Sequence, residues 1–190
     1  MKVGLIIIAV ILILALIFGS GFVTRRNQMA VKRETVNAAW SQVDVVLQRR
    51  ADLIPNLVET VKGFAQHEEQ VFGEIARARS ALIGAQTPAD KIAANAQVTS
   101  ALNRLLAVVE NYPQLKSNEN FLRLQDELTD TEDKISAARR YYNSTVMHYN
   151  NGIQSLPWVL VARVLGFREK EFFSAEGDTA TPQVSFTPAT

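Results

Sequence analysis

The 190-residue chain contains no cysteine, only two histidines and almost no net charge. Without cysteine it can form neither disulfides nor thiolate metal sites, and it cannot carry a lipid on a cysteine. Twenty basic residues against nineteen acidic ones leave a formal net charge of +1. No global field therefore draws nucleic acid or an acidic substrate to the chain, and we expect no nucleic-acid partner.

The sequence also lacks the motifs of common catalytic and metal sites. A di-iron site in a helical bundle needs Glu-x-x-His pairs, but Phe64 and Thr145 stand three positions before His67 and His148. The helical zinc-protease motif would need a second histidine where Val71 stands. No Gly-rich phosphate loop and no Gly-x-Ser-x-Gly elbow occurs either. We expect no enzymatic activity, no cofactor, no metal ion and no catalytic residue.

What the chain does have is a long apolar run at its start, Val3 to Val23, in which the only polar side chain is that of Ser20. As a helix this run spans roughly 30 Å, the thickness of a bilayer's hydrocarbon core. A cleaved signal peptide is the competing interpretation, since Lys2 precedes the run and small residues flank Ser20. The stretch from Val3 to Phe18 exceeds the usual signal-peptide core of about 7 to 15 residues, which favours a retained anchor. Representative side chains of this anchor are Val3, Leu5, Ile8, Leu12, Leu16 and Val23.

The charges beside the apolar run predict its orientation. Only Lys2 precedes the run, whereas Arg25, Arg26, Lys32 and Arg33 follow it. By the positive-inside rule the rest of the chain faces the cytoplasm and the N-terminus lies outside, with a single pass through the membrane. The same four cations are candidates for contact with lipid headgroups, each worth about 1 kcal/mol. Stopping transfer is the simpler role for them.

Beyond the anchor, apolar residues recur at helical spacing in several stretches. Pro55 interrupts this pattern, and both a kink and a turn are compatible with it. An unbroken helix from Arg25 to Ile83 would be roughly 90 Å long, so length favours the turn. The clearest seam follows, with spacings of three and four throughout, and it includes Ile54, Leu57, Val61, Phe64, Glu68, Val71, Ile75, Ala78 and Leu82.

Capping residues delimit two further helices. Thr87 followed by Pro88 predicts a helix from Pro88 to Glu110, and Asn118 predicts one from Glu119 to about Gln154. We therefore expect an all-α fold, in which the transmembrane helix is followed by an antiparallel four-helix bundle and a short C-terminal helix over Ser155 to Phe167. The expected domains are an anchor over 1–26, the bundle over 27–173 and a flexible tail over 174–190.

Several charged residues lie on or beside the predicted helix seams. They indicate either a buried binding site or ion pairs between helices. Pairing is favoured, because a charge near a core persists only when it has a partner. These residues are Arg49, Arg50, Asp52, Glu68, Glu132, Arg139 and Arg140.

Two stretches of the chain resemble the LemA family of bacterial membrane proteins. They are AWSQVDVVLQRRADLIPNLVETVKGFAQHE, Ala39 to Glu68, and ENYPQLKSNENFLRLQDELTDTEDKISAARRYYNSTVMHYN, Glu110 to Asn150. The departures are small: Phe64 stands where the family commonly has Tyr, and Arg26 where an aromatic often precedes the Asn. The resemblance implies an N-terminal transmembrane helix, a soluble helical bundle and no established reaction. No catalytic residue is therefore carried over from the family.

Two classes of function remain. The first is a non-enzymatic scaffold or interaction protein that self-assembles at the bacterial inner membrane and shapes it. The alternative is a regulatory or sensor protein that binds a ligand or a partner membrane enzyme such as a protease. We expect a homo-oligomer with contacts at Gly19 and Gly21, where small residues let membrane helices approach closely. Trp158 and Leu160 are further candidate contacts, because the segment from Leu156 to Leu165 is too apolar to stand free in water.

Overall fold

A computed structural model describes residues 2–155 and 158–173, and every regular element in this part of the chain is a helix. The all-α fold with an apolar helix at its start is therefore confirmed. The predicted tail over 174–190 and residues Leu156 and Pro157 lie outside the described residues. The helices are α1 (Lys2–Lys62), α2 (Glu69–Gly84), α3 (Pro88–Val109), α4 (Pro113–Lys116), α5 (Glu119–Gln154) and α6 (Val159–Ala162).

Helix α1 continues through Pro55, so the turn favoured at that proline is wrong. A proline inside a helix leaves the carbonyl four residues earlier, here that of Ala51, without its usual N–H donor. The Nε of Arg79, on α2, donates a hydrogen bond to the Ala51 carbonyl oxygen at 2.8 Å. A side chain from a neighbouring helix thus supplies the donor that Pro55 lacks, and the helix continues for two more turns.

The seam that was expected to run unbroken past Phe64 is interrupted between α1 and α2, and that expectation is wrong. The amides of Phe64 and Ala65 both bond to the carbonyl of Val61, which closes the end of α1. Phe64 is 38% exposed, whereas Ala65 is 1% exposed and occupies the core instead. Gly63, a weak helix former, stands at the break. The spacing of apolar residues did not reveal this break because the pattern resumes in phase beyond it.

The predicted starts of α3 and α5 are confirmed by their caps. The Thr87 hydroxyl accepts a hydrogen bond from the Asp90 amide at 3.1 Å. The Asn118 side-chain oxygen accepts one from the Phe121 amide, also at 3.1 Å. These bonds satisfy amides that would otherwise be unpaired in the first turn of each helix.

The described residues fall into two compact units. The first, which we call the anchor unit, comprises residues 2–39, 143–155 and 158–171. The second, which we call the helical unit, comprises residues 40–142 with 172 and 173. Within the anchor unit, α1 carries buried side chains at Met29, Val36 and Ala39.

In the helical unit, the second part of α1 packs against α2, α3 and α5. Lys91 of α3 pairs with Asp44 of α1, and the rings of Trp40 on α1 and Tyr142 on α5 lie 5.3 Å apart in an edge-to-face arrangement. The core is apolar, as the helical spacing predicted. It includes Val43, Leu47, Ile54, Leu57, Val61, Ile75, Leu82, Val98, Leu105, Phe121 and Ile135.

In the anchor unit, α1 and the last turns of α5 approach each other closely at Gly152. A Cβ atom added to Gly152 would lie 2.7 Å from the Sδ of Met29, whose side chain is 4% exposed. Any larger side chain at this position would have to displace Met29. Tyr149 and Ile153 on α5 are buried on the same side of the helix.

The break before α2 generates a prediction that separates two residues of the expected seam. Leu57→Ala should reduce the free energy of unfolding by about 2 to 5 kcal/mol, because Leu57 is 1% exposed and the change leaves a cavity. Phe64→Ala should have a much smaller effect, because its ring is partly solvated. Urea unfolding of the full-length protein in nanodiscs, followed by circular dichroism, would measure both. Equal losses for the two variants would contradict this assignment of the core.

Candidate membrane-facing site

The first part of α1 presents apolar side chains to its surroundings on all sides. Its most apolar 18-residue stretch has a mean hydropathy of 3.0, and none of that stretch is buried. Among the described residues, α1 is the one helix that is long and apolar enough to cross a membrane. A helix that is apolar all round is buried in a large core or in a bilayer. Because this part of α1 has no protein core around it, its chemistry fits the bilayer.

The expected anchor residues lie within this surface. Ile8, Leu12, Leu16 and Val23 are between 55% and 73% exposed. Val3 and Leu5 belong to α1, but their side chains lie outside the described part of the chain. The polar groups in the run are paired inside the helix: the Ser20 hydroxyl donates to the carbonyl of Ile17 at 2.9 Å. Such internal pairing is what hydrocarbon requires, since it offers no hydrogen-bond partners.

The four candidate headgroup cations fall into two pairs. Arg25 and Arg26 are exposed directly after the apolar run. Lys32 lies about 14 Å further along the helix axis than Val23, beyond a headgroup layer of about 5 to 8 Å. The Nζ of Lys32 donates to the carbonyl of His148 at 3.4 Å, and the guanidinium of Arg33 lies 5.7 Å from the ring centre of Phe167. The second pair thus contacts protein, and Arg25 and Arg26 remain the candidates for lipid headgroups.

An aromatic cluster connects α6 to the end of the apolar run. The Trp158 ring lies 5.7 Å from the ring of Phe22 and 5.9 Å from that of Phe167. Trp158 is 5% exposed, and its indole nitrogen has no hydrogen-bond partner among the described residues. Trp158, a candidate oligomer contact, is therefore buried within the anchor unit of a single copy.

The segment formed by α6 and its flanking residues, Trp158 to Gly166, has apolar side chains on both of its sides. Trp158 and Ala162 are buried on one side, whereas Leu160 and Val164 are 74% and 86% exposed on the other. The segment turns at Gly166, whose φ of +78° is a conformation that side chains rarely adopt. The amide of Phe167 bonds back to the carbonyl of Ala162 at 2.9 Å, as in a Schellman motif. This turn brings Phe167 to the buried side, beside Trp158.

The segment after α6 is held against α5 by Asn150, a residue that the sequence analysis missed. The Asn150 side-chain amide donates to the carbonyl of Lys170 at 2.9 Å and accepts from the Lys170 amide at 2.9 Å. Asn150 is 8% exposed and lies between Val146 and Ile153 at spacings of four and three. A polar residue on a buried stripe was the available signal. Burial also raises the pKa of the neighbouring Tyr149, whereas the positive charge of Arg33 acts to lower it.

A second polar cluster lies in the helical unit around Arg50, which is 6% exposed. Its Nη1 donates to the side-chain oxygen of Asn95 at 2.8 Å and lies 3.0 Å from the Oε2 of Glu132. Burial lowers the pKa of Arg50, and the charge of Glu132 acts in the opposite direction. Arg49 pairs with Glu127 at 3.2 Å. The predicted ion pairs between helices are thus confirmed for Arg49, Arg50 and Glu132.

A cleft of about 380 Å³ opens beside Arg50. That volume lies within the range of small-molecule sites. The described residues contain no group of three or more histidines and carboxylates placed to hold a metal ion. The cleft lining combines leucines with amide, hydroxyl and charged groups, and includes Leu57, Thr99, Leu102, Asn103, Leu106, Gln125, Leu128, Thr129, Glu132 and Asp133.

Comparisons with known proteins agree with the resemblance in the sequence. The model of the LemA family matches residues 39–186. The magnetosome protein MamQ of Magnetospirillum gryphiswaldense is 28% identical, over 84% of this chain and 70% of that protein. The magnetosome protein MamQ 1 of Paramagnetospirillum magneticum is 29% identical, over 95% of this chain and 77% of that protein. The protein LemA of Metamycoplasma hominis is 25% identical, over 84% of this chain and 73% of that protein.

The two hydrogen bonds between Asn150 and Lys170, which we call the Asn150 clamp, generate a prediction that has a control at the next residue. Asn150→Asp should loosen the segment after α6, because a carboxylate cannot donate to the Lys170 carbonyl and repels it. Hydrogen exchange of the full-length protein should show faster exchange at the Lys170 amide. Asn151→Asp, an exposed change one position away, should leave that rate unchanged. The same acceleration in both variants would mean that added charge, rather than the lost bond, causes the effect.

Proposed function

The chain belongs to the LemA family, and we propose that it is a membrane-anchored, non-enzymatic scaffold or interaction protein of the bacterial inner membrane. One observation carries the proposal: α1 joins the exposed apolar run to the packed residues of the anchor unit without a break. A protein that only needed tethering could use a flexible linker. A continuous helix instead holds the packed part of the anchor unit, which begins at Met29, at a fixed distance from the bilayer.

Several observations support the non-enzymatic part of the proposal. Two arginines at the helix seams pair with carboxylates of another helix, Arg50 with Glu132 and Arg49 with Glu127. The relatives carry the names LemA and magnetosome protein, and neither name describes a reaction. These polar groups stabilise contacts between helices, which supports a structural role for them.

We further propose that the helical unit is an up-and-down four-helix bundle of α1, α2, α3 and α5. Along α1 and α5 the contacts run in opposite directions: Trp40 meets Tyr142, and Arg49 meets Glu127 further along α1. Arg104 of α3 bonds to Glu74 of α2 at 2.7 Å, and a short loop joins these two helices. Both relations support antiparallel neighbours.

The scaffold role includes self-assembly through the anchor. A Cβ atom added to Gly19 or Gly21 would meet nothing within 4 Å, so a second helix has room to approach these positions. Assembly of many anchors in one patch of membrane is also how such a protein would shape the bilayer. Of the two candidate contacts after α5, only Leu160 is exposed in one copy.

The second candidate function is a sensor that binds a ligand or a partner membrane enzyme. The cleft beside Arg50 favours it, because this cleft offers both apolar and polar groups to a small molecule. The two functions differ in what accompanies the chain in native membranes. A scaffold should be recovered mainly with copies of itself, whereas a sensor should be recovered with a different protein.

We propose that the helical unit lies in the cytoplasm and the N-terminus outside. This orientation is testable because the chain has no cysteine. A single Val45→Cys change adds a thiol at a position that is 68% exposed. We expect a membrane-impermeant maleimide to leave this thiol unmodified in intact spheroplasts and to modify it after lysis. The unaltered chain should remain unlabelled in both cases. Modification of Val45→Cys before lysis would place the domain on the outer side.

The assembly proposal is tested by particle mass. Gly19→Leu with Gly21→Leu should lower the native mass of the protein in nanodiscs, because bulky side chains prevent close approach of two helices. Gly4→Leu is the matched control, since Gly4 has the same open surroundings in the same helix, and it should leave the mass unchanged. A single copy per particle before any substitution would remove the assembly proposal and favour the sensor.

A further inference from the structure

We infer that the exposed side of α6 and the turn after it, formed by Leu160 and Val164, inserts into the interfacial layer of the bilayer as a second membrane contact beside the anchor. The inference rests on the proposed membrane anchoring, which fixes where α1 enters the lipid. It assigns to lipid a surface that is neither part of the transmembrane run nor covered by the described residues. The occupant is a bilayer with anionic headgroups.

The depth of α6 follows from its contact with Phe22. Phe22 is the next-to-last residue of the apolar run, so it lies at the edge of the hydrocarbon core. The Trp158 ring packs 5.7 Å from the Phe22 ring, and α6 begins at the next residue. The segment is therefore at the level of the headgroups. Aromatic residues concentrate at this level in membrane proteins because their rings are amphipathic.

The direction of the exposed side chains supports the same occupant. Leu160 and Val164 are four residues apart and project to the same side of the segment. Trp158 and Ala162, on the other side, fill the anchor unit and are 5% and 0% exposed. An aqueous location would explain the buried side but not two large apolar side chains that are 74% and 86% exposed. A segment that packs on the protein with one side and on lipid with the other explains both sets of apolar side chains.

The charges around α6 match an anionic membrane surface. Arg163 lies between the two exposed apolar residues and is itself exposed. Arg25 and Arg26 follow Phe22 on α1, and no acidic residue occurs from Trp158 to Arg168. Arginine side chains at this depth bury their stems beside lipid and direct their guanidinium groups to the headgroups.

A second copy of the chain is a weaker candidate for this surface. Leu160 and Val164 form a small patch, whereas a stable interface between proteins needs about 800 Å² from each partner. The patch also follows closely in the chain on Trp158, whose ring packs on Phe22 at the end of the apolar run that the bilayer is proposed to cover. Two attachment points would also fix the rotation of the anchor unit about the α1 axis, which a single transmembrane helix leaves free.

The test uses spin labels on single cysteines in the full-length protein, in nanodiscs that contain anionic lipid. Leu160→Cys and Val164→Cys report on the proposed contact. Leu16→Cys, 73% exposed in the apolar run, is the lipid control, and Val31→Cys, 66% exposed, is the aqueous control. Val31 lies about 12 Å past Val23 along the helix axis. The measurement compares the accessibility of each label to oxygen, which concentrates in lipid, and to a water-soluble nickel complex.

We expect the labels at Leu160 and Val164 to show an oxygen-to-nickel accessibility ratio between those of the Leu16 and Val31 labels. A ratio equal to that of Val31 would overturn the inference. A label that neither reagent reaches, with spin–spin broadening that disappears on dilution with unlabelled protein, would overturn it in favour of a second copy. If the Leu16 label itself reads as aqueous, the proposed anchoring fails, and this outcome is distinct from failure of the α6 contact alone.

Discussion

The absence of hydrogen-bond partners in hydrocarbon is the constraint on which the rest of this structure depends. It requires the first part of α1 to be a helix with no exposed backbone group, and it allows side chains such as that of Ser20 only when they bond within the helix. Because α1 does not end with the apolar run, the same helix then meets water and must bury a narrower stripe. That stripe begins at Met29 and Val36. One continuous helix is therefore apolar on all sides in its first part and apolar along a single stripe in its second part.

The continuity of α1 depends on polar contacts as well as on packing. Pro55 removes the donor for the Ala51 carbonyl, and Arg79 supplies a charged one. Arg50, almost fully buried one residue before Ala51, is compensated by Asn95 and Glu132. Without these partners, burying the Ala51 carbonyl or the Arg50 guanidinium would lower the free energy of unfolding. Arg79 and Arg50 thus help to keep a long helix intact around its proline.

In the anchor unit, too, a polar side chain supplies hydrogen-bond partners to backbone groups. Its terminal segment has no regular hydrogen-bonding partner strand, yet Asn150 pairs with both backbone groups of Lys170. This clamp holds Phe167 beside Trp158, and Trp158 beside Phe22. The exposed side of α6 is therefore a consequence of a chain of specific contacts. Lipid at that side would cover apolar side chains that the described residues leave exposed.

The sequence by itself determined the apolar run, the helical class, the caps at Thr87 and Asn118 and most of the core, because each depends on local chemistry or on regular spacing. It did not determine the passage of α1 through Pro55, since the compensating donor comes from Arg79, 28 residues away. The sequence also placed Phe64 in the core, because the apolar spacing of three and four residues continues unchanged across the loop between α1 and α2. Trp158 looked like an exposed contact until Phe22 and Phe167 covered it. Only tertiary structure decides which of several apolar residues find partners within one chain, because burial depends on neighbours that are distant in sequence.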